Sequence, residues 1–150
     1  MRIMMAIQLF TIGFTQKNAE KFFTALRNAK IRRVLDIRLN NVSQLAGFTK
    51  RDDLRFFLRE LCEADYHHLP QCAPTEDILD TYKKNGGSWE TYVQQFLSLI
   101  RSRHIETLLT PELLDFGCLL CSEPTPEKCH RRLVAEYLQE HNTSIVTTHL

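Results

Sequence analysis

Long apolar runs are what this chain most clearly lacks: no stretch approaches the ~18 consecutive apolar residues that a membrane-spanning helix needs. Met1 to Phe10, one of its most apolar segments, carries Arg2 and is broken by Gln8. No small-residue cleavage site follows, so the segment does not read as an export signal. Net charge is nearly absent as well, at +1 over 150 residues. No internal repeat, low-complexity tract or linker divides the chain. Its cysteines are five, an odd number (Cys62, Cys72, Cys118, Cys121 and Cys129), which argues against a stapled secreted scaffold and for reduced thiols. The expectation is a cytoplasmic protein.

What is present suits one folded domain. Charged residues are 25% and the set AVILMFWYC is 43%, which is ordinary globular usage. A chain of this length buries roughly two thirds of its unfolded surface without disulfides or metals. The small net charge conceals a split: residues 1–60 hold 12 Lys/Arg against 5 Asp/Glu, and residues 61–150 hold 7 against 13. A basic half of this kind suits a polyanion-binding face, or else mixed surface charge once folded.

Strands and helices alternate. Strands are expected at residues 8–12, 33–37, 66–69, 117–121 and 144–148, with 9–12 and 117–121 central. Gly117-Cys118-Leu119-Leu120-Cys121 is continuously apolar, as buried parallel strands are. Between the strands, Ala19, Phe22, Phe23 and Leu26 recur at helical spacing after a Thr15 cap, and Leu54, Phe57, Leu58 and Leu61 follow a Thr49–Asp52 capping box. Thr75 caps a helix with Ile78, Leu79 and Tyr82, and Ser88 opens one with Trp89, Tyr92, Val93, Phe96, Leu97 and Ile100 on one stripe. Thr125 is a candidate cap for the last helix, which carries His130, Leu133, Val134, Tyr137 and Leu138. Arg38 to Gly47 reads as a long loop. The expected fold is a three-layer α/β domain spanning 1–150, its mostly parallel five-stranded sheet covered by helices on both faces.

In such a sheet the ligand crevice lies beyond the carboxyl ends of the strands, where strand order reverses. That rule selects Gly13-Phe14-Thr15, Asp36-Ile37-Arg38, and Cys121-Ser122-Glu123 with the segment ending Cys129-His130-Arg131-Arg132. Asp36 and Arg38 are two apart on an extended chain and point the same way. Arg38 can hold a phosphate or carboxylate while Asp36 orients it or acts as a base; the other reading is a structural ion pair. Arg131 and Arg132 can bind an anion from a helix start. Cys121, Cys129 and His130 invite a zinc hypothesis, but no second ligand pair stands at finger spacing, and Cys118 and Cys121, three apart on a strand, face opposite ways. No metal is therefore expected. Cys129 near a helix start is a candidate nucleophile. A cap at Thr125 would place it a turn inside the helix, and no Cys-x5-Arg pattern occurs at either Cys121 or Cys129, so a structural thiol is expected. His130 lies on the apolar stripe and competes as a core histidine.

Thr11-Ile12-Gly13, Leu35-Asp36-Ile37-Arg38 and Leu119-Leu120-Cys121-Ser122-Glu123 leading to Cys129-His130-Arg131-Arg132 together resemble the family catalogued as domain of unknown function 488. The likeness runs from about Phe10 to the C-terminus. It implies an α/β fold and no established reaction. Asp36, Arg38, Glu123, Cys129, His130 and Arg131 match the family pattern. Phe14 and Thr15 stand where members commonly have His and Ser, and Asn40 and Ser43-Gln44 stand in place of a Pro and Ser-Arg.

The leading expectation is an enzyme acting on a phosphorylated or nucleotide-like anion. Asp36, Glu123 and His130 are its candidate acid–base groups, and Gly13, Arg38, Cys121, Ser122, Cys129, Arg131 and Arg132 line its ligand site. The alternatives are a nucleic-acid-binding module using the basic half, with a stripe through Arg32, Arg33, Lys50, Arg51 and Arg55, or a small-molecule sensor or partner-binding domain. Which cofactor it uses, if any, is unknown from the sequence, and no membrane partner is expected.

Overall fold

The computed structural model describes residues 5–42 and 47–150, so four residues of the expected loop, including Ser43 and Gln44, lie outside it. Five strands form one sheet: β1 (Ile7–Gly13), β2 (Arg33–Asp36), β3 (Asp65–His68), β4 (Gly117–Cys121) and β5 (Ile145–His149). Their order is β3-β2-β4-β1-β5 and every pairing is parallel. β4, the most apolar run, is central, with β1 beside it. That is where a strand buried on both faces belongs.

The helices are α1 (Ala19–Asn28), α2 (Arg51–Cys62), α3 (Glu76–Lys83), α4 (Trp89–Ser102), α5 (Ile105–Leu108), α6 (Pro111–Leu114) and α7 (His130–His141). Two apolar clusters show how they cover the sheet. On one side Phe22, Phe23 and Leu26 of α1 and Leu54 and Leu58 of α2 meet Ile12, Val34, Cys118 and Leu120. On the other, Tyr92, Phe96 and Ile100 of α4 and Leu133, Val134 and Leu138 of α7 meet Leu9, Leu35 and Leu119. Alternate strand residues thus feed opposite faces, which makes three layers. The crossovers β1 to β2 to β3 use α1 and α2; the return to β4 and on to β5 uses α3 to α7. The two runs diverge around β4, so the carboxyl ends of β2 and β4 border a gap.

Three caps differ from expectation. Asn18, not Thr15, caps α1, its side chain accepting from the Lys21 amide at 2.8 Å. Thr49 ends a short 3-10 turn (Gly47–Thr49) instead of forming a capping box, and Lys50 stands at the N-cap of α2 without a side-chain bond. α7 begins at His130 with Cys129 as its N-cap, four residues later than a Thr125 cap implies. Proline at 126 would suit the first position of a helix capped by Thr125, so the later start is not a proline effect; it falls where Cys129 is extended. Thr75 and Ser88 cap α3 and α4 as expected. α5 and α6, each one turn, fall in a stretch to which the sequence pattern assigns nothing.

Candidate functional site

The carboxyl ends of β2 and β4 meet α3, α4 and the start of α7 around a cleft of about 440 Å³. Its lining includes Arg38, Cys121, Ser122, Glu123, Cys129 and His130, so six of the residues selected from sequence converge there. Asp36, Gly13, Arg131 and Arg132 do not line it, and each has a different reason.

Asp36 is wholly buried, and its carboxylate is fully engaged. Oδ1 accepts from the Arg38 amide at 3.1 Å and from Arg38 Nε at 2.8 Å; Oδ2 accepts from Arg38 Nη2 at 2.8 Å and from the Tyr66 hydroxyl at 2.5 Å. An acid–base role needs a lone pair that faces a substrate, and this carboxylate offers none. The ion-pair reading is the one its surroundings support. Burial works against the charged form of Arg38, but the Asp36 carboxylate outweighs it and raises the pKa above the usual guanidinium value. Tyr66 is pushed up, first by burial and then by the carboxylate it donates to. Arg38 Nη2 also donates to the Thr49 carbonyl at 2.7 Å, so this arginine reaches the cleft wall with part of its fork already taken.

Arg131 is the bulkiest fully buried side chain. Nε donates to Thr11 Oγ1 at 3.2 Å, and Nη1 donates to the Glu123 carbonyl at 2.6 Å and to Cys129 Sγ at 3.5 Å. It ties α7 to β1 and to the loop after β4. In this arrangement the guanidinium faces protein and does not line the cleft. Nη2 is buried and unpartnered among the described residues. Arg132 lies in another depression with Val93, Leu97 and Glu136, its Nη1 3.3 Å from Glu136 Oε1.

Gly13 serves packing. A Cβ there would lie 1.6 Å from the Glu123 carbonyl oxygen and 2.8 Å from Arg131 Nη1. Only glycine lets the end of β1 approach the loop after β4, where the Thr15 amide donates to the Ser122 carbonyl at 3.1 Å. Gly13→Ala must push that loop away. Equilibrium urea unfolding is expected to show a loss of about 1–3 kcal/mol, the usual range for overpacking. A variant as stable as the wild type would mean the loop yields freely.

On the cleft floor, His130 Nε2 lies 2.7 Å from the Ile37 carbonyl oxygen, which can only accept, so Nε2 carries a hydrogen. Nδ1 then faces Cys121 Sγ at 3.3 Å. The ligand atoms of Cys121, Cys129 and His130 all lie within 4.8 Å of one another. Burial opposes ionisation of Cys121. Hydrogen bonds from the Cys129 thiol and the Ser122 and Glu123 amides, with the Arg131 charge, outweigh it and hold its pKa below the usual thiol value. The bond to Cys121, together with burial, raises that of Cys129. The two thiols therefore differ in their ease of ionisation, Cys121 being the more acidic of the pair. Cys118 lies across the sheet in the α1/α2 cluster, as the strand alternation requires.

Much of the remaining wall lies outside the residues that the strand-end rule selects. Tyr82, Trp89 and Tyr92 form an aromatic run: Tyr82–Tyr92 centroids are 5.1 Å apart and Trp89–Tyr92 centroids 5.2 Å, the latter stacked at 17°. The run continues through Phe96 to the His130 ring, 5.5 Å away and edge-on. Lys83, Lys84 and Lys128 line the same cleft. Lys83 Nζ is 2.7 Å from Glu123 Oε1 and Lys84 Nζ is 3.4 Å from Asp80 Oδ1; Lys128 makes no ion pair among the described residues. The apolar stripe of α4 gave a signal, but a stripe alone cannot tell core from cleft wall.

Three of the basic residues in the first half make contacts within the chain. Arg33 Nη1 donates to the Leu113 and Asp115 carbonyls, Arg32 lies over the Phe116 ring, and Arg51 pairs with Asp52. No helix among the described residues is long and apolar enough to cross a membrane.

Fold and cleft together define a parallel α/β protein with a cleft at the strand ends. The model of one family, described as domain of unknown function DUF488, matches residues 18–138, and the chain belongs to that family. The match begins after β1 and ends before β5, a narrower span than the resemblance from Phe10 onward. No curated protein and no solved structure matches the chain.

Proposed function

We propose that this protein is an enzyme acting on a phosphorylated, nucleotide-like ligand. The observation that carries this reading is the composition of the cleft wall: half-buried Tyr82 and Trp89 offer ring faces, while Lys83, Lys84 and Lys128 offer positive charge around the same space. A volume of about 440 Å³ suits a ligand of mononucleotide size. Base-on-aromatic stacking contributes about 1–3 kcal/mol and tolerates any ring with a π face. Lysine ammonium groups complement phosphate oxygens as point charges. Glu123, partly exposed and 2.7 Å from Lys83, is the acid–base group best placed to meet such a ligand. His130 has Nε2 bound to the Ile37 carbonyl and Nδ1 turned to Cys121, so no acid–base step on the ligand is assigned to it. A reducing compartment such as the cytoplasm fits the buried thiols of that floor.

Trp89 is the sole tryptophan, so its fluorescence reports on the cleft directly. Titration with nucleoside monophosphates and diphosphates is expected to change that emission saturably, and inorganic phosphate to compete. Tyr82→Ala should weaken binding by about 5- to 150-fold, the equivalent of one stacking contact. Binding of a duplex oligonucleotide with no response to mononucleotides would sink this reading in favour of a nucleic-acid module.

A further inference from the structure

We infer that Cys121, Cys129 and His130 form a binding site for a thiophilic divalent cation, zinc foremost, with the fourth coordination position open to the cleft. The site stands whichever ligand the cleft takes.

The backbone explains how residues adjacent in sequence come to share a centre. Cys129 is extended (φ −135°, ψ 140°) and His130 is the first residue of α7. The change from extended to helical backbone at that junction lets both side chains turn into one cavity, where Cys121 arrives from the end of β4. A tetrahedral zinc with bonds of about 2.3 Å to sulfur and about 2.0–2.1 Å to nitrogen puts S···N near 3.6 Å and S···S near 3.8 Å. Cys121 Sγ and His130 Nδ1 stand 3.3 Å apart, within a few tenths of an ångström of that edge.

The outer sphere has the same character. A metal-bound imidazole typically donates its second N–H to a carbonyl or carboxylate, which fixes the tautomer. Here Nε2 donates to the Ile37 carbonyl at 2.7 Å and leaves Nδ1 towards the sulfurs. Arg131 Nη1 donates to Cys129 Sγ at 3.5 Å, as hydrogen-bond donors do to ligating thiolates. Charge agrees too. Arg131 is fully buried, and among the described residues no carboxylate pairs with it. Two thiolates neutralise a divalent ion and leave the guanidinium beside electron-rich sulfur. The donor set is soft, so zinc is favoured over magnesium or calcium. Three protein ligands that line a cleft match a site with a vacant fourth position, not a closed structural one.

Untagged protein, stripped with chelator under reducing conditions, should take up about one equivalent of zinc per chain. Its cobalt(II) form should show thiolate-to-metal charge-transfer absorption. Cys121→Ser and Cys129→Ser should each bind more than about 100-fold more weakly, beyond what loss of an outer-sphere partner costs. Cys62→Ser should bind like wild type. Alkylation mapping by mass spectrometry tests the unmutated protein: zinc should protect Cys121 and Cys129 and leave Cys62 unchanged. Zinc held no more tightly by wild type than by Cys121→Ser would overturn the site. So would a Cys121 that alkylates at the same rate with and without saturating zinc, which would make it a free nucleophile. Because metal uptake is read without any organic ligand, failure here leaves the nucleotide-like reading standing, and the reverse holds.

Discussion

Asp36→Ala is expected to lower folding stability by about 3–5 kcal/mol, the cost of leaving a buried charge without its partner. The guanidinium left behind is Arg38, only 4% exposed. Its Nε and Nη2 both donate to Asp36, and among the described residues the Thr49 carbonyl and the Tyr66 hydroxyl would be left to it. Tyr66 would also lose its 2.5 Å bond. Urea melts of Asp36→Ala, Arg38→Met and the double variant form a cycle. The double variant should be less destabilised than the sum of the singles, because removing both charges removes the uncompensated one. The effect should also reach the cleft. Ile37, between the paired residues, supplies the carbonyl that holds His130. If Asp36→Ala instead cost less than about 1 kcal/mol and abolished turnover, the carboxylate would be a catalytic base after all.

The fold was largely legible because its signals are local. A continuous apolar run such as Gly117–Cys121 can only be a buried strand or a short buried helix, and flanking proline and polar residues decide between them. Caps were less legible. Thr15, Thr49 and Thr125 each have cap chemistry, yet which residue caps depends on where the chain leaves the preceding turn, and that is a tertiary matter. The strand-end rule found the cleft, and six of the residues it selected line it. It could not sort side chains into those that face a ligand and those that face protein. Asp36 and Arg131 carry functional chemistry and sit at the right strand and helix ends, yet both are fully buried and bonded within the protein. Conversely, Tyr82 and Trp89 recur at helical spacing, a pattern that fits core and cleft wall alike. For Cys121, Cys129 and His130, finger spacing as the test gives no metal, because there is no second ligand pair. An open three-ligand site needs no such pair, and its closure across the β4–α7 loop has no fixed sequence interval.

Arg131 separates structure from function most sharply. It replaces no cleft contact, so its substitution should act through the fold. Arg131→Ala removes donors to Thr11 Oγ1, to the Glu123 carbonyl and to Cys129 Sγ, and opens a cavity at the junction of β1, β4 and α7. Together these should lower stability by about 2–5 kcal/mol, as for other large-to-small changes that also strip buried groups of partners. Lysine keeps the charge and fills part of the volume, but a single ammonium cannot reproduce the planar fork that spans Thr11 and Glu123. Arg131→Lys should therefore recover part of the stability and not all of it. The distances add a further expectation. The Glu123 carbonyl is held at 2.6 Å by this side chain, and the Glu123 carboxylate lies in the cleft. Partial loosening of that loop in the lysine variant should weaken ligand binding at temperatures well below its melting point. Thermal melts beside Trp89 fluorescence titrations decide the matter. If Arg131→Ala melts with the wild type and yet binds nucleoside phosphates far more weakly, Arg131 belongs to the binding site and the clamp is refuted.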